Sequence, residues 1–540
     1  MNGLMMDYQL TLPAMMRRAE QLYPNKEIVT RLPDRSLHRY TYADFVSRAK
    51  KLAVALKKLG IQSGDRVATL SWNHHQHLEV YFGIPSAEAV LHTLNLRLHE
   101  DDLAYIVDHA GDRALLVDES LLPLYEKFRD RVDLDHVMVV SGSGDAPDGT
   151  ISYEDLLFDA NEAEFEYPDL DEKQAAAMCY TSGTTGRPKG VLYSHRSLAL
   201  HSMGHLAADA VGLMERDVML PVVPMFHANA WGFPFSATFT GAKQVFPGPH
   251  LDPQSLLELF EGEKVTVAAG VPTIWLGILQ VLDKDPGAYD LSAMRTMLVG
   301  GAAAPEGMIR AYDQRHGLRV LQGWGMTEMS PLGTTAYLMS DFDDATEDER
   351  YRYRAKQGLP MPFVEIRARG DEGLIPWDGE AMGELEVRGP WVASAYYESP
   401  ESADKFTEDG WLKTGDIVTI DPRGYVEIKD RTKDLIKSGG EWISSVALEN
   451  ALMAHPAVAE AAVIAIPDDE WQERPLAAVV LKEGESATAE ELISYLEPSF
   501  ARWWLPDRVE FVDKIPKTSV GKFKKSELRE RFASQVSTDV

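Results

Sequence analysis

Phe45, Ala49, Leu52 and Leu56 recur every three or four positions with charged side chains between them. That period lines one face of an α-helix. Thr41 followed three places later by Asp44 reads as a capping box at its start, and Gly60 as its stop. Just beyond, 66–70 is a short, mostly apolar run that reads as a buried strand. Similar runs at 114–118, 137–140, 217–222, 243–246, 265–269 and 297–299 are separated by helical stretches. Strands alternating with helices predict doubly wound parallel sheets.

After Pro360 the pattern shortens. Runs at 365–369, 383–387, 417–420 and 425–428 are split by Gly, Pro and Asp, which predicts a small antiparallel barrel or sheet. The charged stretch 429–437 reads as a connector. Beyond it, 446–455 reads as a helix, 459–466 as a strand and 489–504 as a second helix. The expected fold class is α/β. A large N-terminal domain over 1–430 carries two doubly wound sheets and a small β-barrel. A linker over 431–437 leads to a small α+β C-terminal domain over 438–540.

Composition narrows the function classes. A chain of 540 residues is too long for one hydrophobic core. Its single cysteine, Cys179, excludes an intramolecular disulfide and fits a reducing cytoplasm. The strand context of Cys179 favours an inert buried thiol over a nucleophile. The segment 1–18 lacks the features of a secretory signal, and no stretch of uncharged apolar residues is long enough to predict a membrane span. A formal charge of −30 disfavours nucleic acid or anionic membrane as a partner. A polyanionic ligand would need Lys and Arg gathered locally. The basic residues inside glycine-rich motifs are therefore the informative ones.

The strongest such motif is Tyr180-Thr-Ser-Gly-Thr-Thr-Gly-Arg-Pro-Lys189-Gly190. Gly183 and Gly186 let backbone N–H groups curl around an anion. Thr181, Ser182, Thr184 and Thr185 add hydroxyl donors, and Lys189 adds a charge. A triphosphate needs such a set. The loop is not a Walker A motif, because Pro188 stands where that spacing requires glycine. A flexible linker would share the composition, but the apolar run over 175–180 argues for a structured loop.

Next, a strand ends in Gly300 and Gly301, which suits close backbone approach to a flat ring or a carboxylate. Gln322-Gly323-Trp324-Gly325-Met326-Thr327-Glu328 follows. Trp324 offers an aromatic face, Thr327 a phosphate hydrogen bond, and Glu328 a hard oxygen for Mg²⁺. Asp416, in Trp-Leu-Lys-Thr-Gly-Asp, has the chemistry to chelate vicinal ribose hydroxyls. The segment Asn73-His-His-Gln-His77 invites a metal reading, which is disfavoured by its distance from the other motifs.

Together these motifs resemble, over nearly the whole chain, the adenylate-forming superfamily of acyl-CoA synthetases, luciferases and peptide-synthetase adenylation domains. Within it the sequence looks most like bacterial medium- and long-chain fatty-acid–CoA ligases. The resemblance implies that ATP, coenzyme A and a fatty acid are substrates and Mg²⁺ a cofactor. Thr184 and Glu328 would hold the metal. Lys189 and Lys522 would join them as catalytic groups, with Lys522 entering the site for adenylation. Gly300, Gly301, Gln322, Gly323, Trp324, Asp416 and Arg431 would border AMP. Lys433 matches the family's hinge position, making the C-terminal domain a mobile lid. Lys437 and Trp442 match nucleotide-contacting positions, and Gly439 and Gly440 would let a pantetheine arm pass. His227, Ala228, Trp231 and Gly325 would wall the acyl pocket, with Trp231 at a gate position. The segment around Trp231 carries no acidic residue to pair an α-ammonium, which argues against amino-acid substrates.

The resemblance also implies a homodimer, and a fatty substrate would allow peripheral contact with a membrane. Two related activities remain open at this point: a fatty-acyl-AMP ligase that loads a carrier protein, and a CoA ligase for another carboxylic acid. A catalytically dead nucleotide-binding scaffold is disfavoured by the presence of Lys522, Glu328 and the whole phosphate loop.

Overall fold

The capping box forms as the sequence predicts. Thr41 Oγ1 accepts the Asp44 N–H at 3.2 Å, and Asp44 Oδ2 accepts the Thr41 N–H at 2.8 Å. The helix Tyr42–Lys58 follows and buries Tyr42, Phe45, Ala49, Leu52 and Leu56. This computed structural model describes residues 1, 3–141, 146–181, 187–438, 441–468, 471–517 and 523–536, the side chains of 441 and 533–536 excepted.

Two large sheets dominate. The first has seven strands, in the order Ile151–Ser152, His136–Val140, Asp112–Asp118, Arg66–Leu70, Val90–Thr93, Ala175–Tyr180 and Gly190–Ser194. All pairings are parallel except the last. The second has nine strands. At its centre Val218–Pro221, Val267–Gly270, Thr296–Val299 and Val320–Gly325 run parallel. Helices Tyr42–Lys58, His75–Ser86, His195–Leu206 and Phe233–Thr240 contribute to one core with strands of both sheets. It draws Val67, Leu91 and Ala177 from the first sheet and Ile28, Met219 and Val267 from the second. Asn73 stitches the sheets together. Its amide donates to Pro221 O and Val223 O, each at 2.9 Å, and its carbonyl accepts the Met225 N–H at 2.7 Å.

The third sheet is antiparallel, with Gly373–Leu374, Glu365–Gly370, Gly383–Arg388, Leu412–Ile420 and Val426–Arg431 in that order. The last strand runs through the first part of the predicted connector. Past it, Ile436–Ser438 pairs with Glu441–Ile443 and joins the C-terminal sheet, built on the long antiparallel pair Val458–Asp468 and Gln472–Leu481. The second predicted C-terminal helix is shorter than expected. It covers Ala489–Leu496, with Pro498, which lacks an N–H to continue the ladder, two residues past its end. Among the described residues no helix is long and apolar enough to cross a membrane.

A buried polar cluster joins the C-terminal unit to the third sheet. Asp430 Oδ2 accepts both the N–H and the hydroxyl of Ser445 at 2.6 Å, and Lys525 Nζ donates to Ser445 Oγ at 2.6 Å while pairing with Glu449 at 2.7 Å.

Candidate active site

A cavity of about 280 Å³ opens where strands of both large sheets end. Thr181 follows the strand Ala175–Tyr180, Val222 follows Val218–Pro221, Val271 follows Val267–Gly270 and Gly300 follows Thr296–Val299; all four line it. The C-terminal ends of parallel strands are where open α/β sheets bind ligands.

The phosphate-type loop leaves the first sheet through a closed neck. Tyr180 pairs with Gly190, Thr181 N–H donates to Lys189 O at 2.9 Å, and Lys189 N–H donates to Thr181 Oγ1 at 3.1 Å. At this neck a Cβ on Gly190 would lie 2.4 Å from Met178 Cε, so a side chain there would displace the methionine tip. Thr181 and Lys189 line the cavity. Ser182, Gly183, Thr184, Thr185 and Gly186 lie outside the described residues.

Glu328 is buried in the short turn Thr327–Met329. The Tyr396 hydroxyl donates to its Oε1 at 2.6 Å, and no hydrogen bond engages Oε2 among the described residues. Lys189 Nζ stands 5.1 Å from the centre of the Tyr396 ring. Burial, reinforced by Glu328, pushes the Tyr396 phenol well above its ordinary range, so it stays a donor. A single carboxylate with an open oxygen suits Mg²⁺, which commonly shares one protein carboxylate with substrate phosphates. Among the described residues no group of three or more His, Cys, Asp or Glu forms an all-protein metal cage.

The cavity wall around Trp324 is tightly cross-braced. Trp324 Nε1 donates to Asp416 Oδ2 at 2.9 Å, and Arg431 Nε pairs with Asp416 Oδ1 at 3.0 Å. Trp324 and Arg431 line the cavity, with Asp416 directly behind them. Gln322 serves from behind as well: its Oε1 accepts the Ala304 N–H at 3.0 Å and so fixes the loop after Gly300 and Gly301. Gly325 cannot carry a side chain, since its Cβ would sit 1.9 Å from Pro331 O.

Trp231 reaches the cavity from an unusual backbone. Ala228, Asn229, Ala230 and Trp231 all have positive φ, from 43° to 55°. A left-handed run costs roughly 1–2 kcal/mol per residue. Buried Asn229 helps hold it, accepting from Cys179 Sγ at 3.4 Å and donating to Tyr81 OH at 3.3 Å. The Trp231 ring lies against the two glycines, with Cη2 3.0 Å from where a Cβ of Gly300 would stand. His227, Ala228, Trp231 and Gly325 all line the cavity, as do Gly323 and Thr327.

Other predicted positions fall elsewhere. Lys433 is exposed in the turn after Val426–Arg431, where partial desolvation lowers its ammonium pKa. Lys437 and Trp442 face each other across a hairpin, the ammonium 5.2 Å from the ring centre, and neither lines the cavity. Gly439, Gly440 and Lys522 lie outside the described residues. Two of the three histidines after Asn73 have hydrogen-bonded rings: His74 bonds Asp118 at 2.9 Å, and His77 bonds Thr69 at 3.1 Å and Trp72 O at 2.9 Å; His75 stacks on His38.

The cavity lining mixes two chemistries. Among the described residues it carries Arg97, Arg187, Lys189, Lys405, Lys413 and Arg431 with one carboxylate, Glu328. In a chain with 54 basic and 84 acidic residues, that local excess of cations suits a polyanion. Val222, Val223, Val271, Ile274, Leu298 and Leu332 add an aliphatic surface. Sequence reasoning missed Tyr396, Arg97, Lys405 and Lys413. Tyr396 meets Glu328 across 68 positions, so no local spacing signals the pair.

Comparison with known proteins agrees with this geometry. The model of the AMP-binding enzyme family matches residues 16–397, and that of the AMP-binding enzyme C-terminal domain matches 447–522. A long-chain-fatty-acid–CoA ligase of Thermus thermophilus is 49% identical over 532 residues, covering 98% of this chain and 96% of its own. A medium-chain-fatty-acid–CoA ligase of Ectopseudomonas oleovorans is 42% identical, covering 98% of each chain. The crystal structure of the anthranilate CoA ligase AuaEII with anthranoyl-AMP superposes with a TM-score of 0.87 at 26% identity, covering 98% of this chain and 99% of that one. A glycine-necked anion loop, a braced Trp–Asp–Arg wall and these whole-length matches lead to one assignment: the chain belongs to the AMP-binding enzyme family.

Proposed function

We propose that the protein joins a medium- or long-chain fatty acid to coenzyme A, using ATP and passing through the acyl adenylate. The observation that carries this reading is the mixed lining of the cavity, six cations together with a set of aliphatic side chains. A fatty acid and a nucleotide triphosphate have those complementary surfaces. The names of the Thermus and Ectopseudomonas relatives support the same acid class.

In the first step a carboxylate oxygen of the acid attacks the α-phosphorus of ATP, and the bond to pyrophosphate breaks. Lys189 and the neck at Thr181 hold the phosphates; Asp416, Trp324 and Arg431 hold the nucleoside side. Bound by Glu328 and Thr184, Mg²⁺ would supply positive charge against the phosphates. Lys522 would balance charge developing between carboxylate and phosphate. In the second step the coenzyme A sulfur attacks the acyl carbon and AMP leaves. Lys433 lies between the third sheet and the C-terminal unit, where a rotation would exchange Lys522 for the thiol channel. Gly439 and Gly440 are the proposed wall of that channel. A homodimer and a cytoplasmic setting belong to the same proposal, supported by the resemblance and, for the setting, by a single buried thiol.

The test is ATP- and CoA-dependent product formation across acids from acetate to oleate. Medium or long chains should turn over best, and acyl-CoA should form with free coenzyme A. Highest turnover with acetate or an aromatic acid would refute the acid class. Formation of acyl-AMP without acyl-CoA would favour a carrier-protein loader instead.

A further inference from the structure

The left-handed run from Ala228 to Trp231 continues into Gly232, at φ 78°. Residues other than glycine stay in that region only where their surroundings over-determine it. The main chain supplies part of the hold. The Ala230 N–H donates to Pro224 O and His227 O, each at 3.2 Å, and the Gly232 N–H donates to Asn229 O at 2.9 Å. Those bonds stay within the segment, and Ala228 and Ala230 bring no polar side chain to reach beyond it.

Asn229 does reach beyond it. The residue is 1% exposed. Its carbonyl accepts from Cys179 Sγ on the strand Ala175–Tyr180, and its amide donates to Tyr81 OH on the helix His75–Ser86. The one hydrogen of the Tyr81 phenol goes to Met225 O, which leaves oxygen lone pairs for the Asn229 amide. A single buried phenol thus braces the segment at 225 and at 229. Asparagine also suits the backbone, since its short polar side chain enters the left-handed region more readily than most.

Trp231 comes two residues later in the same turn. Its Cη2 and Cζ3 stand 3.0 and 3.3 Å from where a Cβ of Gly300 would be, and its Cζ2 stands 3.9 Å from that of Gly301. The tryptophan is partly exposed, and it lines the cavity together with both glycines. Relaxing φ at 228–230 to negative values redirects the chain before it reaches 231, so the ring keeps its place only while the turn does.

We propose that Asn229 is a positioning residue for the acid substrate: by locking the left-handed turn it holds the Trp231 ring against Gly300 and Gly301 and keeps the cavity ready for the chain. The proposal rests on the fatty-acid reading above and deepens it. A ring freed from the glycines takes several positions, and the acid then binds only the fraction of molecules in which the ring is placed correctly. Apparent affinity falls by that fraction.

The test measures KM for decanoate and for ATP in pyrophosphate release, in the wild type, Asn229→Ala, Trp231→Ala and the double variant. Asn229→Ala should raise KM for decanoate about fivefold or more and leave KM for ATP within about twofold, a split that a general loss of structure would not give. In the Trp231→Ala background the same substitution should change KM for decanoate by less than about twofold, because the ring through which Asn229 acts is gone. A decanoate KM within about twofold of wild type, equal rises for decanoate and ATP, or the full rise persisting without the indole would each overturn the proposal. If Asn229→Ala or Trp231→Ala gives no active enzyme, Tyr81→Phe decides. It removes the hydroxyl that braces 225 and 229, and should raise KM for decanoate selectively in the same way; an unchanged KM would overturn the assignment. Absence of release with every acid in the wild type would defeat the parent reading, and this one with it; release with an unaltered KM in the variants defeats this one alone.

Discussion

Tyr396 links two groups whose charges oppose each other. Its hydroxyl donates to Glu328, and its ring face lies near the Lys189 ammonium. Removing the hydroxyl keeps the ring under Lys189 but frees Glu328 to rotate. A hydrogen bond to a carboxylate contributes about 1.5–3 kcal/mol. Tyr396→Phe should therefore lower kcat/KM for adenylation by about 10- to 100-fold, and raise the Mg²⁺ concentration that half-saturates it. A change within about twofold would mean that Glu328 is held by other contacts. Gly325 makes a different demand. Gly325→Ala places a methyl group 1.9 Å from Pro331 O, so the strand Val320–Gly325 must part from the turn beside it. Overpacking of this kind costs about 1–3 kcal/mol, and the urea midpoint should fall accordingly. Nothing in the Gly-Trp-Gly triplet itself announces this requirement. It comes from Pro331, which the chain folds back against the strand.

Two helices carry a concentrated set of neutral histidines between the large sheets. His75 and His77 belong to His75–Ser86, and His195, His201 and His205 to His195–Leu206. Burial lowers all five: to about 3 for His77 and His205, to about 4 for His195, and well below the ordinary value for His75 and His201. The unfolded imidazoles titrate near 6.5. Below that pH the unfolded chain binds protons that the folded chain refuses, so stability rises with pH. The contribution is complete above about 6.5 and is lost as pH falls toward the folded values. Near pH 5.5, unfolding should take up about four to five protons from these helices, each worth about 1.4 kcal/mol per pH unit. Calorimetric unfolding in two buffers of different ionisation enthalpy reads that uptake. Uptake near zero would mean that the rings are already charged in the fold. The helices themselves are unequally legible in the sequence. Tyr42–Lys58 was plain because one face alone is apolar and Thr41 caps it. His195–Leu206 is buried almost all round, so it has no polar stripe to betray its period. The strand Gln472–Leu481 was hidden in another way. It starts with Gln472, Glu473 and Arg474, yet Arg474 is buried and bonds to Asp507, Ser438, Trp503 O and Leu505 O. A charge neutralised by distant partners reads as surface in the sequence.

At the scale of the whole molecule, charge and connection decide the function. The sequence marks Lys189 and Arg431 because they sit inside motifs, but Arg97, Lys405 and Lys413 come from scattered segments that only the fold assembles around one cavity. The same holds for the joint between the two halves. Asp430, on the last strand of the third sheet, is locked to Ser445, and Ser445 to Lys525, on the C-terminal side of Lys433. Rotation about Lys433 must break the bonds between Asp430 and Ser445, because their residues lie on opposite sides of the turn. Lys525 follows Lys522 by three positions, so the segment bearing the proposed adenylation lysine is attached to the helix that this cluster grips. If one orientation serves adenylation and another thioester formation, the two half-reactions must depend differently on that lysine. Lys522→Ala should reduce pyrophosphate release from ATP and acid by about 100-fold or more, the scale of one charge-stabilising group at a developing anion. It should leave the conversion of supplied acyl-AMP and coenzyme A to acyl-CoA within about threefold of wild type, because that step loses no group that acts in it. Both rates are measurable separately, by pyrophosphate release and by disappearance of the free thiol. An equal fall in both would place Lys522 in a role common to the two steps and remove the need for a rotation about Lys433.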